Sequence, residues 1–231
     1  MKSLLESGLA ALGLPTEAAP ALARYGELLL EKNQVMNLTA ITDPADVAAL
    51  HFLDSAALLT LADFRGKSVI DVGTGAGFPG LPLRIVEPSI RLTLLDAQNK
   101  RVEFLREVCA DLGLSDVACV HARAEEFTAD HRETFDFVTS RAVAHLRMLA
   151  ELCLPLVRVG GTFLAMKSVD SGAELEEARR AIELLGGGVE KTLDYQIPGT
   201  EVLHRVIFIK KFEKTEKKYP RTFAKIKKHP L

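Results

Sequence analysis
With 231 residues, 48% of them hydrophobic and 26% charged, the chain is long and apolar enough to bury one α/β core with an extension. Cys109, Cys119 and Cys153 are too scattered for a zinc pattern or a disulfide framework. No apolar run approaches the ~20 residues of a membrane span, and Met1-Lys2-Ser3 opens an amphipathic pattern, so a reducing cytoplasm is expected. The net charge of −2 hides an asymmetry: residues 210–231 hold nine of the 29 Lys/Arg and two of the 31 Asp/Glu, giving +7 there and −9 elsewhere. A basic tail on an acidic body predicts a polyanionic partner met at one end.

Residues 1–64 read as helical. Leu4, Leu5, Leu9 and Leu12 recur at helical spacing until Gly13 and Pro15 end the segment. A second helix is predicted over 16–31, with Leu22, Tyr25, Leu28 and Leu29 inward and Thr16 as N-cap. Asp43-Pro44 opens a third by N-cap and first-turn chemistry, running through Leu50 and Leu53 to Leu61. In the polar stretch between them, Asn33, Asn37 and Thr39 either contact a ligand or satisfy the backbone of a turn, the commoner use of such residues. His51 and Asp54, three apart, read as a local helix pair.

The pattern changes at Ser68-Val-Ile-Asp-Val-Gly-Thr-Gly-Ala-Gly-Phe-Pro-Gly80. Val69, Ile70 and Val72 make a short strand that stops at glycine. Gly73, Gly75 and Gly77 then alternate, as a sharp turn open to a ligand requires. The apolar run from Leu81 continues as a helix whose free N–H groups face the same space. Strand, glycine loop and helix form the first unit of a nucleotide-binding sheet, and Gly75 to Gly80 also satisfies the dinucleotide pattern, leaving an NAD-dependent dehydrogenase open. Asp71 favours another ligand. A carboxylate beside the turn repels a pyrophosphate but holds an ammonium or a ribose hydroxyl, as S-adenosylmethionine (SAM) offers.

Strands are predicted next over 92–95, 117–120, 135–138 and 162–166, with helices over 99–112, 146–157 and 174–185. The last two strands, 189–197 and 202–209, are joined only by Pro198-Gly199-Thr200-Glu201; this is a hairpin, so one strand of the sheet is reversed. Asp96 ends the second strand 21 residues beyond Gly75, where an acid accepts the hydroxyls of an adenosine ribose or caps the helix from Asn99. Ala124 and Glu125 follow the third strand and either meet an adenine edge or simply begin a helix. Arg141 sits just past the fourth strand, placed for a cofactor carboxylate or a substrate phosphate, and Lys167 ends the fifth with the same ambiguity. His121 reads as a strand-end histidine with no partner for base chemistry. Lys210 and Lys211 finish the last strand. Beyond them Lys217, Lys218, Arg221, Lys225, Lys227 and Lys228, with the rings of Tyr219 and Phe223, form either a nucleic-acid footprint or a solvated, frayed end. A footprint alone is also compatible with a non-catalytic RNA-binding module.

A set of motifs in fixed order covers nearly the whole chain: Asn37-Leu-Thr39, His51-x-x-Asp54-Ser55, Asp71 to Gly80, Leu95-Asp96, Lys100-Arg-Val-x-Phe-Leu105, Glu125-Glu-Phe127, Ser140-Arg-Ala142 and Tyr219-Pro-Arg221. In these the chain resembles the glucose-inhibited division protein B family, bacterial SAM-dependent methyltransferases of 16S ribosomal RNA. The resemblance implies an α/β fold: a Rossmann-like class I methyltransferase sheet with a C-terminal antiparallel hairpin and an N-terminal helical extension. The expected organisation is an extension over 1–64, a SAM-binding domain over 65–212 and a basic tail over 213–231. The implied reaction is transfer of the SAM methyl group to N7 of one guanine in a hairpin loop near the decoding site. The implied partner is 16S ribosomal RNA or a small-subunit assembly intermediate, with no metal and no membrane, and the enzyme is expected to be a cytoplasmic monomer. By the same resemblance Gly73, Phe78, Ala124, Glu125 and Arg141 line the SAM pocket, beside Asp71, Gly75, Gly77 and Asp96 from the reading above. RNA contacts are expected from Arg141, Lys167, Lys217, Lys218 and Arg221. Guanine N7 carries a lone pair and no proton, so no catalytic base is required. The chain departs from the family pattern at Lys32, often an aromatic there, and in Thr222-Phe-Ala-Lys-Ile-Lys-Lys-His229, where the family tail bears glycine and proline.

Overall fold
The computed structural model describes residues 1–141 and 144–231; Ala142 of the Ser140-Arg-Ala142 motif lies outside them. Among the described residues seven strands form one sheet in the order β3-β2-β1-β4-β5-β7-β6. They are β1 Ser68–Val72, β2 Arg91–Asp96, β3 Ala118–His121, β4 Phe135–Arg141, β5 Val157–Ser168, β6 Gly187–Gln196 and β7 Leu203–Lys211. The first five run parallel, and β7 pairs antiparallel with both β5 and β6, so it is the one reversed strand that the hairpin implied. Strand order reverses between β1 and β4, which opens a crevice at their carboxyl ends.

Helices cover both faces, which is why β1 is apolar on both sides: Val69, Ile70 and Val72 are all buried. On one face lie α1 Lys2–Ala11, α2 Ala19–Met36, α3 Pro44–Leu61, α4 Gly80–Val86 and α5 Asn99–Asp111. Leu5, Leu22, Tyr25 and Phe52 from the first three share a core with Phe78, Leu94 and Phe104. The first 64 residues are therefore built into the sheet's own core. By length and composition α3 would cross a membrane, but half of it is buried here, with Val47, Ala48, Phe52 and Ala56 fully enclosed. On the other face, α6 Ala124–His131, α7 Leu146–Cys153 and α8 Gly172–Leu184 pack with Ile70, Val138, Phe163 and Ile207.

Several boundaries differ from the sequence reading. Thr16 makes no capping bond; it opens a 3-10 turn before α2, which runs on to Met36 and ends at Asn37 in the left-handed region, φ 50°. Asp43 does cap α3, accepting the N–H groups of Ala45 and Asp46. A π-helical stretch, Ala48–Leu53, widens α3 beside the crevice. The helix expected over 146–157 stops at Cys153 and becomes a 3-10 turn around Pro155, which lacks an N–H to continue it. Strand β4 extends through Arg141, which is in the strand and not past it. The tail is not frayed. Tyr219 and Ile226 are buried in the second core, and α9 Phe223–Lys228 packs against α7.

Candidate functional site
A cavity of about 650 Å³ opens at the carboxyl ends of β1 and β2, with the glycine loop as its floor. Gly73 and Gly75 hold φ of 68° and 61°, a region that L side chains rarely adopt. A Cβ on Gly75 would meet nothing nearer than the Gly73 carbonyl at 4.0 Å, so the space above it is open. Gly77 faces the other way. A Cβ there would lie 2.2 Å from the Tyr25 hydroxyl, which reaches up from α2 to bond the Ala76 carbonyl. Gly77, expected at the ligand, is a packing glycine and forms no part of the cavity wall.

Asp71 is also relocated. It is fully buried and lies outside the wall, and its oxygens accept Thr74 Oγ1 at 2.6 Å, Gly80 N–H at 3.0 Å and Thr139 Oγ1 at 3.0 Å. Burial pushes its carboxyl up, and these three bonds oppose the rise. Asp71 therefore shapes the loop from beneath, with both carboxylate oxygens turned to donors of the chain itself. It also takes the Gly80 N–H at the start of α4, where a Cβ would lie 2.8 Å from Asp71 and Leu94, so this third glycine lets the helix pack close on the strands.

Asp96 does line the cavity. Its Oδ2 accepts the Gly75 N–H at 2.9 Å and its Oδ1 the Gln98 N–H at 2.8 Å, so it tethers the loop to the end of β2 and does not cap α5. A carboxylate oxygen accepts more than one bond, leaving capacity toward the cavity. Ala124 and Glu125 stand in the wall beyond it, with Glu125 accepting the Phe223 N–H at 3.2 Å. Phe223 is itself in that wall, with the Arg123 guanidinium 5.6 Å from its ring centre.

The opposite end is built by Thr39, His51, Phe78 and Arg141. Phe78 stacks on His51 with centroids 4.7 Å apart, and the Arg141 guanidinium lies 5.0 Å from the Phe78 ring centre. Arg141 Nη1 donates to the Leu50 carbonyl and to Asp54 Oδ2, both at 3.0 Å, and Nη2 lies 3.2 Å from His51 Nδ1. His51 and Asp54 thus share Arg141 and do not form the local pair expected. Asp54, fully buried, also accepts Tyr195 Oη at 2.6 Å and contacts His204 Nδ1 at 2.8 Å. Burial alone would raise the Asp54 carboxyl, but His204, Arg141 and Tyr195 hold it below its usual value. Burial, aided by the Arg141 charge, lowers the His51 imidazole to about 4, so the ring is neutral near pH 7.

Besides Arg141, two of the cations expected at RNA are engaged within the chain. Lys167 is mostly buried, donating to the Ala144 carbonyl at 2.7 Å and Glu174 at 2.5 Å, a tie between β5 and α8. Arg221 grips the fully buried Glu151 of α7 through Nε at 2.8 Å and Nη2 at 2.6 Å. Lys218 is exposed, 2.9 Å from Glu216, and Lys217, Lys225, Lys227 and Lys228 are exposed as well. Lys211 does more than finish β7: it is fully buried on the Leu154 and Leu185 carbonyls, and burial lowers its ammonium to about 8. Tyr219 and Phe223 are core and cavity residues, so neither is a free platform for an unstacked base.

Sequence reasoning did not find Tyr195, His204 or Glu151. Tyr195 and His204 face one another across the hairpin register, a proximity that becomes visible once the two strands are paired. Glu151 left a local sign: an acid among Leu149, Ala150, Leu152 and Cys153 on a helix buried almost all round.

The comparisons with known proteins agree with this geometry. A family described as rRNA small subunit methyltransferase G matches residues 18–200. A relative of that name from Acetivibrio thermocellus is 44% identical over 235 residues, covering 100% of this chain and 97% of its own. One from Staphylococcus epidermidis is 49% identical over 210 residues, covering 90% and 88%. Among solved structures, TrmN from Thermus thermophilus superposes with a TM-score of 0.55 at 25% identity, over 68% of this chain and 48% of that one. The M. jannaschii TYW2 in complex with AdoMet gives 0.55 at 14%, over 70% and 74%, a likeness of fold.

Proposed function
The chain belongs to the rRNA small subunit methyltransferase G family, and from that premise we propose that it methylates N7 of a guanine in 16S ribosomal RNA with SAM as donor. The observation that carries the choice of donor is the placement of Gly77, the second glycine of the dinucleotide pattern, which faces Tyr25 and stands outside the cavity wall. A dinucleotide pyrophosphate approaches the backbone at that glycine, which is covered here, while the open face of Gly75 and the carboxylate of Asp96 suit a nucleoside. The dehydrogenase reading lacks support at Gly77 and in the family membership, and a purely RNA-binding module leaves the cavity and the family membership unexplained.

In this reading Asp96 holds the ribose hydroxyls, and Ala124 and Glu125 meet the adenine. Phe223 from the tail closes that end. When bound, SAM supplies a methyl group activated by its sulfonium. The chain's own contribution is to align and to exclude water: Phe78 and His51 form an apolar, uncharged wall, and Arg141 is held in place by Asp54. Such orientation of two reactants supplies roughly 7–11 kcal/mol, and since N7 has no proton to lose, a neutral His51 is no obstacle. RNA approaches over the exposed Lys217, Lys218, Lys225, Lys227 and Lys228. A loop nucleotide is recognised by shape and by a splayed base, so a small-subunit assembly intermediate in the cytoplasm is the preferred substrate of a monomeric enzyme. The test is to map the methylated nucleotide after reaction with deproteinised RNA and with subunit particles from cells lacking this gene. One N7-methylguanine in 16S RNA, stronger on particles, is expected; label found only on a protein or a small molecule would overturn the assignment.

A further inference from the structure
We propose that the Thr39 hydroxyl is a hydrogen-bond donor aimed into the reacting end of the cavity, where it takes the O6 carbonyl of the target guanine and presents N7 for methylation. The identity of the base rests on the function proposed above; the direction of the hydroxyl does not.

The direction follows from a chain of donors. A guanidinium only donates, and Arg141 Nη2 lies 3.2 Å from His51 Nδ1, so that nitrogen accepts and the ring hydrogen resides on Nε2. Nε2 is 2.7 Å from Thr39 Oγ1, which therefore accepts from it. The Ile41 N–H donates to the same oxygen at 3.1 Å. A hydroxyl has two acceptor sites and one hydrogen. Both acceptor sites are filled, and the hydrogen has no acceptor among the described residues. The arrangement cannot easily rotate. Asn33 bonds the Thr39 N–H and the Thr39 carbonyl, each at 2.9 Å, and the imidazole is stacked on Phe78. The neutral ring that this polarity requires is the one burial beside Arg141 enforces.

Placement selects the acceptor. Thr39 lines the cavity from the loop between α2 and α3, at the far end from Asp96, Ala124 and Glu125, which come from the loops after β2 and β3. The donor thus belongs to the lip over which the second reactant enters. On the guanine edge that carries N7, O6 is the neighbouring acceptor. A hydrogen bond to O6 fixes the base and leaves the N7 lone pair free, whereas a donor on N7 would tie up the nucleophile.

The test pairs Thr39→Val and Thr39→Ser with RNA in which the target guanosine is replaced by 2-aminopurine riboside, which keeps N7 and lacks O6. Thr39→Val should lower kcat/KM on guanine RNA about ten-fold, as loss of one bond to a desolvated carbonyl does, with SAM affinity by calorimetry unchanged; Thr39→Ser should retain most of the rate. The base substitution should cost the wild type a similar factor, a measurement independent of how any variant folds, and on 2-aminopurine RNA the wild type and Thr39→Val should be equal. Equal losses for Thr39→Val on both RNAs would show a structural role and overturn the proposal. So would weakened SAM binding with the rate unchanged at saturating SAM, because the hydroxyl would then serve the methionyl carboxylate. Absence of N7 methylation by the wild type would overturn the functional reading itself, and is read from the wild-type map alone.

Discussion

Asp54 is the point at which the extension, the sheet and the hairpin meet, and removing its carboxylate should damage all three together. It is fully buried and serves Arg141 at 3.0 Å, Tyr195 at 2.6 Å and His204 at 2.8 Å. In Asp54→Ala the Arg141 charge, with 15% of its side chain exposed, keeps the Leu50 carbonyl, His51 and the Phe78 ring but no anion among the described partners. Breaking a buried pair by removing one member costs about 3–5 kcal/mol, roughly a fifth or more of the stability of a typical domain. For a chain of this size that is a fall in Tm of about 6–20 °C. Arg141→Met removes the other charge and leaves Asp54 to its two remaining partners. If the pair acts as a unit, the double variant loses less than the sum of the singles, by about 1–3 kcal/mol. Urea unfolding of the four proteins measures this. Additivity within about 0.5 kcal/mol would show that Asp54 and Arg141 contribute independently, and the picture of one buried hub would fail.

The remaining predictions read different parts of the same site. Because the folded His51 pKa, about 4, lies below its free value of 6.5, the unfolded chain binds the extra proton between them, and stability falls as pH drops through that window. The expected slope is about 1.4 kcal/mol per pH unit, so unfolding at pH 7 and pH 5 should differ by about 2 kcal/mol more in the wild type than in His51→Asn; equal differences would mean that the ring titrates alike in the folded and unfolded chain. Gly75→Ala, at φ 61°, should leave a folded protein at a cost of about 1–2 kcal/mol, with SAM binding lost in calorimetry. Gly77→Ala, which sets a methyl 2.2 Å from the Tyr25 hydroxyl, should fail in the thermal melt first; the reverse pattern would mean the loop is misoriented. Truncation after Phe212 should weaken both folding and SAM binding, since it strips Glu151 of Arg221 and the cavity of Phe223. Lys225→Ala/Lys227→Ala/Lys228→Ala should instead spare SAM and flatten the salt dependence of RNA binding, by about 0.7–0.9 in log–log slope for each phosphate no longer neutralised. Identical slopes would move the RNA surface elsewhere.

The parallel sheet, its reversed strand and the glycine loop were legible because each is written locally, in β-branched runs, in hairpin turn residues and in glycines that alternate. Asp96 was legible for the same reason, standing at a fixed distance beyond the loop. Asp71 stands beside the turn as its place in the sequence requires, but its oxygens face Thr74, Gly80 and Thr139. Sequence gives its place beside the turn, but whether a strand-end carboxylate points up to a ligand or down to Thr139 depends on a neighbouring strand 68 residues away. Arg141, Lys167 and Arg221 show the same limit for cations, because a positive side chain looks alike in sequence whether it faces a phosphate or a buried acid. Their partners Asp54, Glu174 and Glu151 lie 87, 7 and 70 residues away, and only the last left a local sign, as an acid on an otherwise buried helix.

Two of those acids share a logic that bears on how the cavity is completed. Asp54 and Glu151 are both fully buried, and each is gripped by an arginine from another element: Arg141 at the end of β4 and Arg221 in the tail. Each pairing fastens a segment outside the central sheet that contributes a wall, Thr39 and His51 from the extension in one case and Phe223 from the tail in the other. An apolar contact of equal size would hold those segments at least as firmly, but apolar surfaces slide. A bidentate grip with oxygens at 2.6 and 2.8 Å fixes the tail's register against α7. For a site whose chemistry consists of aligning a lone pair with a methyl group, register is the quantity that matters: a wall displaced by about 1 Å costs on the order of 100-fold in rate, a loss that a small gain in stability cannot offset.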